Sequence, residues 1–331
     1  MLQHFTITVN GKGNFPCRPD QTIVEAGKQA GFGFPVACRN GVCERCMGTL
    51  QRGHVQQRNH TIHAGDANST QVLYCVAQPL SDCEIDVSEV TAPGELPSHE
   101  VHCQIQQIEA LNHDVSRVWL QLPAGKRVLW HAGQYMMLNL NGEGFPFSIA
   151  NHCDGRRLEL HIRHGDDNSA AQDIMAYLES ASTVSATLPA GMRFIDSAPE
   201  QPVWFICGST GFAPVKAMVE RLIALDFDHP VRLFWGARTP EDLYLPTLPA
   251  QWKMALKDFD FTTALSDIRH PDHAEGLVHE AALAALNEPE LPLFYLGGSP
   301  PMAWAVFDAL VEEGVPADNI HCDVFDYAPR D

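Results

Sequence analysis

The sequence predicts three successive modules, a small α+β unit, an antiparallel β-barrel and a doubly wound α/β domain. Three observations predict them. The 331 residues exceed what one hydrophobic core commonly holds. Charge is uneven: residues 1–90 hold seven Lys and Arg against eight Asp and Glu, a balance of −1, which leaves −18 of the formal −19 on the remaining 241 residues. After Pro202 the pattern changes from short, evenly spaced strands to apolar strands alternating with helices, the signature of a parallel sheet with crossovers.

In chain order, alternating strands are expected near 3–9 and 13–18, then an apolar-periodic helix near Thr22–Ala30 and a cysteine-rich loop at 37–46. The stretch 90–100, VTAPGELPSHE, has the prolines, glycine and acidic residues of an exposed linker. The expected domains are therefore 1–90, a linker at 91–99, 100–198 and 199–331. Segments 101–111, 115–122, 134–140, 145–150, 157–164 and 183–188 read as barrel strands, interrupted by a helix near Ser169–Leu178. Beyond Pro202, VWFICG, VRLFWGA and PLFYLGG read as parallel strands. No internal repeat or low-complexity tract is present.

Composition narrows the function classes. Apolar residues make up 45% of the chain and charged residues 19%, with no run near the roughly 20 apolar residues that span a bilayer. A soluble globular protein is expected, with no membrane partner. The start, MLQHFTITVNGKG, lacks the basic and apolar run of a signal peptide, so the cytoplasm is the expected location. A charge of −19 would be repelled by nucleic acid phosphates. Ten cysteines in such a chain suggest metal ligation rather than a disulfide framework.

Spacing selects four of the ten. Cys38, Cys43, Cys46 and Cys75 form C-x4-C-x2-C…C, the plant-type [2Fe-2S] spacing. Two bridged irons need four soft thiolates, three from one tight loop and one from a distant strand. Gly41 would let backbone amides turn toward the anionic sulfurs. A structural zinc on the same sulfurs, or a redox pair of Cys43 and Cys46 alone, are the competing readings. Cys17, Cys83, Cys103, Cys153, Cys207 and Cys322 have no partner at ligand spacing and read as small core residues.

A second signal is ICGSTGFAPVKAM, where an apolar strand runs into Gly208, Ser209, Thr210 and Gly211 at the start of a helix. It is not GxGxxG, but such a turn lets backbone N–H groups approach a pyrophosphate. Later strands end at Arg238 and at Gly297, Gly298 and Met302, and ligands of parallel sheets bind at such carboxyl ends. The H-x-x-H pairs His60/His63, His161/His164 and His270/His273 lack a third ligand nearby and read as surface or hydrogen-bonded histidines. Neither G-x-S-x-G nor H-E-x-x-H occurs, so hydrolase chemistry has no support.

With the cysteine spacing, HAGQY (131–135), PFSIAN (146–151), ELHIR (159–163), GSTGFAP (208–214), GARTPEDLY (236–244) and GGSPPM (297–302) in order, the chain resembles a family over nearly its whole length. It is similar to the ferredoxin-fused reductases of the ferredoxin–NADP reductase superfamily, which supply electrons to bacterial oxygenases and deoxysugar-forming enzymes. Its last two domains also resemble simpler flavin reductases that use flavin as a substrate. The resemblance implies a β-grasp plant-type [2Fe-2S] ferredoxin domain, an antiparallel flavin-binding β-barrel and a doubly wound nicotinamide domain.

By that resemblance Phe147 and Ser148 would lie at the flavin ring, with the Ser148 hydroxyl acting near the hydride-accepting nitrogen. Tyr135, His161, Ile162 and Arg163 would line the flavin, while Gly208, Thr210, Gly211, Gly298 and Met302 would hold the nicotinamide nucleotide beside Arg238. Phe325 or Tyr327 would cover the flavin. Two departures stand out. Phe145 occupies the place of the family's phosphate-binding arginine, and Ala171 that of a hydroxyl residue, with Ser169 as its expected substitute. Losing such a charge-assisted contact removes about 1.5–3 kcal/mol, so FAD, or FMN in its stead, would be held weakly or anchored differently.

The expected activity is therefore a relay from NADH or NADPH through flavin to the chain's own cluster and on to a partner enzyme, with an oxygenase the leading expectation. Arg39 and Arg45 flank the ligand cysteines, with Arg52 and Arg58 following, and would favour an acidic partner surface. The rival readings are a flavin reductase releasing free reduced flavin, a reductase partner of a deoxysugar dehydrase, and a non-catalytic carrier or zinc-stabilised binding module.

Overall fold

The computed structural model describes residues 4–65, 71–87, 90–153, 155–286 and 290–328, and the chain divides into two compact units, Met1–Pro97 and Ser98–Asp331. The first unit holds β1 (Phe5–Val9), β2 (Gly13–Cys17), α1 (Ile23–Gln29), β3 (Met47–Arg52), β4 (His54–Gln57), β5 (His60–His63), β6 (Gln71–Leu73), β7 (Ala77–Pro79) and β8 (Cys83–Asp86). The alternation at Phe5–Val9 and Gly13–Cys17 makes an antiparallel hairpin, and β8 joins β1 in parallel. The sheet order is β2-β1-β8-β3-β6, with β5-β4-β7 beside it. Helix α1 begins in a capping box, Thr22 and Glu25 each bonding the other's backbone N–H. Its buried face, Ile23, Val24, Ala26 and Gly27, belongs to the core that contains Phe15, Leu50 and Tyr74. One helix on a mixed sheet is the β-grasp arrangement.

Residues 90–95 differ from the expected exposed linker. Val90 and Ala92 are buried, Thr91 bridges Gly33, and Glu95 accepts from the Ala92 N–H while pairing with Lys12. Apolar burial and one β-bridge decide the placement, whatever the proline and glycine content.

The second unit opens with β9 (His99–Ala110), β10 (Val115–Gln121), β11 (Tyr135–Leu140), β12 (Glu143–Ser148), β13 (Arg157–Arg163), α2 (Ser169–Ser180) and β14 (Thr183–Ala190). The six strands are antiparallel in the order β12-β11-β14-β9-β10-β13. Helix α2, capped by Asn168 on the Ala171 N–H, buries Ala171, Ile174, Met175 and Leu178 in the barrel core.

The remainder is β15 (Val203–Gly208), α3 (Phe212–Ala224), β16 (Val231–Ala237), α4 (Leu248–Ala255), β17 (Phe259–Leu265), β18 (Ala274–Glu275), α5 (Val278–Ala284), β19 (Leu293–Gly297), α6 (Pro300–Glu312), β20 (Ile320–His321) and α7 (Val324–Tyr327). All five strand pairings are parallel, in the order β18-β17-β16-β15-β19-β20. Alternate residues of β15 point to opposite faces. Phe205 and Cys207 pack with Phe212, Leu222 and Trp252 from α3 and α4, while Trp204 and Ile206 pack with Val278, Val306 and Leu310 from α5 and α6. The chain leaves β15 toward β16 and returns on its other side at β19, so the strand order reverses there and opens a crevice at the carboxyl ends. Among the described residues no helix is long and apolar enough to cross a membrane.

Candidate functional sites

Three of the four ligand-spaced cysteines lie in the loop between α1 and β3, and Cys75 lies between β6 and β7. Arg39, Gly41 and Glu44 all take left-handed backbone angles, φ 56°, 76° and 59°. Alternating hand turns successive amides inward, which makes a nest for anions. Val42 and Cys43 N–H groups donate to Cys38 Sγ at 3.4 and 3.3 Å. Backbone donation, led by Asn40 and then Cys43, holds the Cys38 thiol down at about 6. Burial, with Cys46 alongside, pushes Cys75 up to about 11.

Cys43 adds to the lowering at Cys38, and Cys38 as well as Cys46 adds to the rise at Cys75. Among the described residues no group of three or more His, Cys, Asp or Glu side chains lies together as a metal-holding set. The amide nest suits the anionic sulfurs of an iron–sulfur cluster. Arg58 donates to the Asn40 carbonyl at 2.6 Å, bracing the loop from behind, so it serves the fold. Arg39, Arg45 and Arg52 are exposed, and Val42 at the loop tip is 72% exposed.

In the second unit a cavity of about 510 Å³ runs between the barrel and the carboxyl ends of the parallel strands. One wall is Tyr135, Phe145, Phe147 and Ser148, with Tyr135 and Ser148 paired directly across β11 and β12. His161 and Arg163 of β13 and the start of α2 form the next. Gly208–Gly211 and Gly297–Gly298 close it. A Cβ on Gly211 would fall 2.2 Å from the Gly297 carbonyl carbon, so only glycine allows the α3 turn and the end of β19 to meet. A second cavity, about 600 Å³, holds Arg238, Ser266 and Met302 and shares Gly208, Ser209 and Arg163 with the first. The turn thus stands between two adjoining spaces at the switch point, one flanked by aromatic rings and one by polar loop ends.

Several expected residues sit differently from a simple lining role. Arg163 is bonded to Asp114 at 2.7 Å and Asp167 at 2.9 Å. Arg238 is 61% exposed, with Asp242 at 3.9 Å. Ser169 is exposed while its neighbours Asn168, Ala170 and Ala171 line the cavity. Phe325 is outside both cavities, its ring packed against Trp304 and Phe307 at 4.5 and 5.2 Å. The Tyr327 side chain lies outside the described residues. His161 keeps both ring nitrogens bonded, to Glu159 and to Tyr244, and its side chain is 0% exposed, so it meets the cavity through its backbone. His54 stacks on His63, and His164 bonds Ser116. Sequence reasoning passed over Asn168, Arg193 and Ser299, all in the cavity wall.

Fold and sites together define a nicotinamide-dependent iron–sulfur oxidoreductase. The chain matches the 2Fe-2S iron-sulfur cluster binding domain at residues 7–80 and the oxidoreductase NAD-binding domain at 205–308. It is 31% identical over 322 residues to the reductase component 1 of terephthalate 1,2-dioxygenase from Comamonas sp, covering 95% of each chain. It is 28% identical over 309 residues to the CDP-6-deoxy-L-threo-D-glycero-4-hexulose-3-dehydrase reductase of Yersinia pestis, covering 92% of this chain and 93% of that one. The crystal structure of the Amycolatopsis cytochrome P450 reductase GcoB superposes with a TM-score of 0.66 at 26% identity, covering 96% and 98% of the two chains. The chain belongs to the ferredoxin-fused NAD(P)H reductases of the ferredoxin–NADP reductase superfamily, with a [2Fe-2S] cluster, flavin and nicotinamide nucleotide as its cofactors.

Proposed function

We propose that this reductase draws electrons from NADH or NADPH in the cleft of its second unit and delivers them singly, through its cluster, to an oxygenase. The observation that carries this reading is one chain holding both a cysteine loop with amides turned onto Cys38 Sγ and a twin cavity at a topological switch point. Backbone N–H groups of Ser209–Gly211 and the positive end of α3 receive the nucleotide's phosphates. Tyr135 and Phe147 present ring surfaces for a planar flavin, His161 backs that wall, and Ser148 offers a hydroxyl to its reacting edge. Arg238 stands by the ribose from the second cavity. Flavin, when bound, supplies the conversion of a two-electron donor into single electrons. Cys38, Cys43, Cys46 and Cys75 hold the cluster, and the exposed Arg39 and Arg45 beside it suit an acidic partner face. Domains at 1–90, extended through Pro97, at 100–198 and at 199–331 divide this labour. The cytoplasm is the proposed location, since the thiolates need a reducing compartment.

A flavin reductase releasing its product is favoured by one feature: Phe145 offers no charge to a flavin phosphate, and Arg163 in the same cavity already serves two carboxylates. Spectra with iron and flavin analysis on anaerobically purified protein separate the readings. Iron near two per chain and bleaching of the cluster bands by NADH are expected; saturable dependence on added flavin without cluster bleaching would favour the free-flavin enzyme.

A further inference from the structure

Beside the flavin cavity lies a buried charged network that the assignments above leave unused. The side chains of His161, Glu159 and Lys216 are 0%, 2% and 9% exposed. Lys216 Nζ donates to the Ala150 carbonyl at 3.1 Å, to Glu159 Oε2 at 2.8 Å and to Glu220 at 3.1 Å, which uses its three protons. The other Glu159 oxygen meets His161 Nε2 at 3.0 Å, with Arg117 at 3.6 Å. Between two cations Glu159 is a carboxylate, so His161 Nε2 carries the proton it donates. His161 Nδ1 then accepts from the Tyr244 hydroxyl at 2.9 Å.

The network joins the two halves of the reaction cleft. Glu159 and His161 belong to β13, and Ala150 follows Ser148 by two residues. Lys216 lies about one turn into α3, whose first residue, Phe212, follows the turn Ser209–Gly211. Tyr244 packs edge-on against Phe212 and Trp235, and Trp235 Nε1 donates to the Ser209 carbonyl at 3.3 Å. Replacing a buried ion pair with apolar groups is often neutral or stabilising. Stability alone therefore gives little reason for charge here, whereas saturated, directional bonds allow one geometry.

We propose that Lys216 and Glu159 are positioning residues for hydride transfer, fixing the turn Ser209–Gly211 against the wall that carries Ser148 and His161. This rests on the flavin and nucleotide placements above. Geometry of this kind matters because a misplacement of about 1 Å can cost on the order of 100-fold in rate.

The test compares full-length wild type with Lys216→Met, Glu159→Gln and the double variant, each supplied with FAD. Stopped-flow absorbance gives flavin reduction at saturating NADH, and titration gives NADH affinity. Melting temperature and the near-ultraviolet circular dichroism of tryptophan are read on flavin-free protein. Lys216→Met strands a buried carboxylate and is expected to melt earlier and reduce flavin about tenfold or more slowly. The double variant removes the Lys216–Glu159 pair and leaves Glu220, 26% exposed, to solvent, while the amide oxygen introduced by Glu159→Gln still accepts from His161. It is expected to recover the melting temperature yet remain about tenfold slow, with NADH affinity within about threefold of wild type and an altered tryptophan signal. Recovery of rate together with melting temperature would mean an ordinary fastening and overturn the proposal, as would an unchanged rate in every variant. Should Lys216→Met not fold, the double variant and Glu159→Gln carry the same comparison. A wild type whose flavin NADH does not reduce would sink the cofactor placement itself, a separate outcome.

Discussion

His161 and Glu159 tie the molecule's stability to pH as well as to geometry. Burial lowers the His161 pKa from its ordinary 6.5 despite the pull of Glu159, so the unfolded chain takes up a proton that the folded chain refuses. Its contribution is present above about pH 6.5 and is lost as pH falls. Burial opposes ionisation of Glu159, but bonds from His161 and attraction to Lys216 outweigh it, so its pKa lies below 4.5 and its contribution goes at lower pH still. Glu220, raised by burial, has the opposite sign and loses stability as pH rises above about 4.5. The melting temperature should therefore fall between pH 7 and 5.5, and His161→Gln should flatten that slope; a wild type indifferent to pH across this range would refute the assignment. None of this was legible in the sequence. Glu159 and Tyr244 meet through His161 across separations of 2 and 83 residues, and Lys216 lies 57 from Glu159, with no local pattern to announce them. The four candidate cysteines could be singled out because three of them sit within one loop at a spacing that itself carries the chemistry. Phe325 misled for the converse reason: a C-terminal aromatic reads alike as a lid or as core until its neighbours are seen.

At the scale of elements, the turn between β15 and α3 is the most constrained backbone in the cleft. Gly211→Ala would drive a methyl group into the Gly297 main chain at 2.2–2.3 Å, and backbone cannot rotate away as a side chain would. Separation of α3 from β19 should weaken nucleotide binding by roughly tenfold or more, measured by calorimetric titration; unaltered affinity would show that the turn does not hold the nucleotide. The longer strands could be read because five to eight residues suffice for a period of two to appear. Strands β4 to β7 are only three or four residues long and gave no such signal. The stretch 90–95 shows what composition omits: proline and glycine forbid regular structure without deciding exposure.

The whole molecule carries its −19 unevenly, and the cluster loop presents Arg39 and Arg45 to solvent. Exposed charges act over about 10 Å at 0.1 M salt. Reversing both to glutamate should slow reduction of an acidic partner, more at low salt than at high, in stopped-flow assays. Equal rates at every ionic strength would remove these residues from docking. That asymmetry was legible by counting; the seam at Pro97–Ser98 was placed only approximately, since chain composition blurs where packing stops. The seam has an engineering consequence. The residues matching the NAD-binding domain lie on one side of it and those matching the cluster domain on the other, so input and output form separable stages of a circuit. Lineages could exchange the output stage for one wired to a new oxygenase while keeping a fuel supply already tuned to the cell.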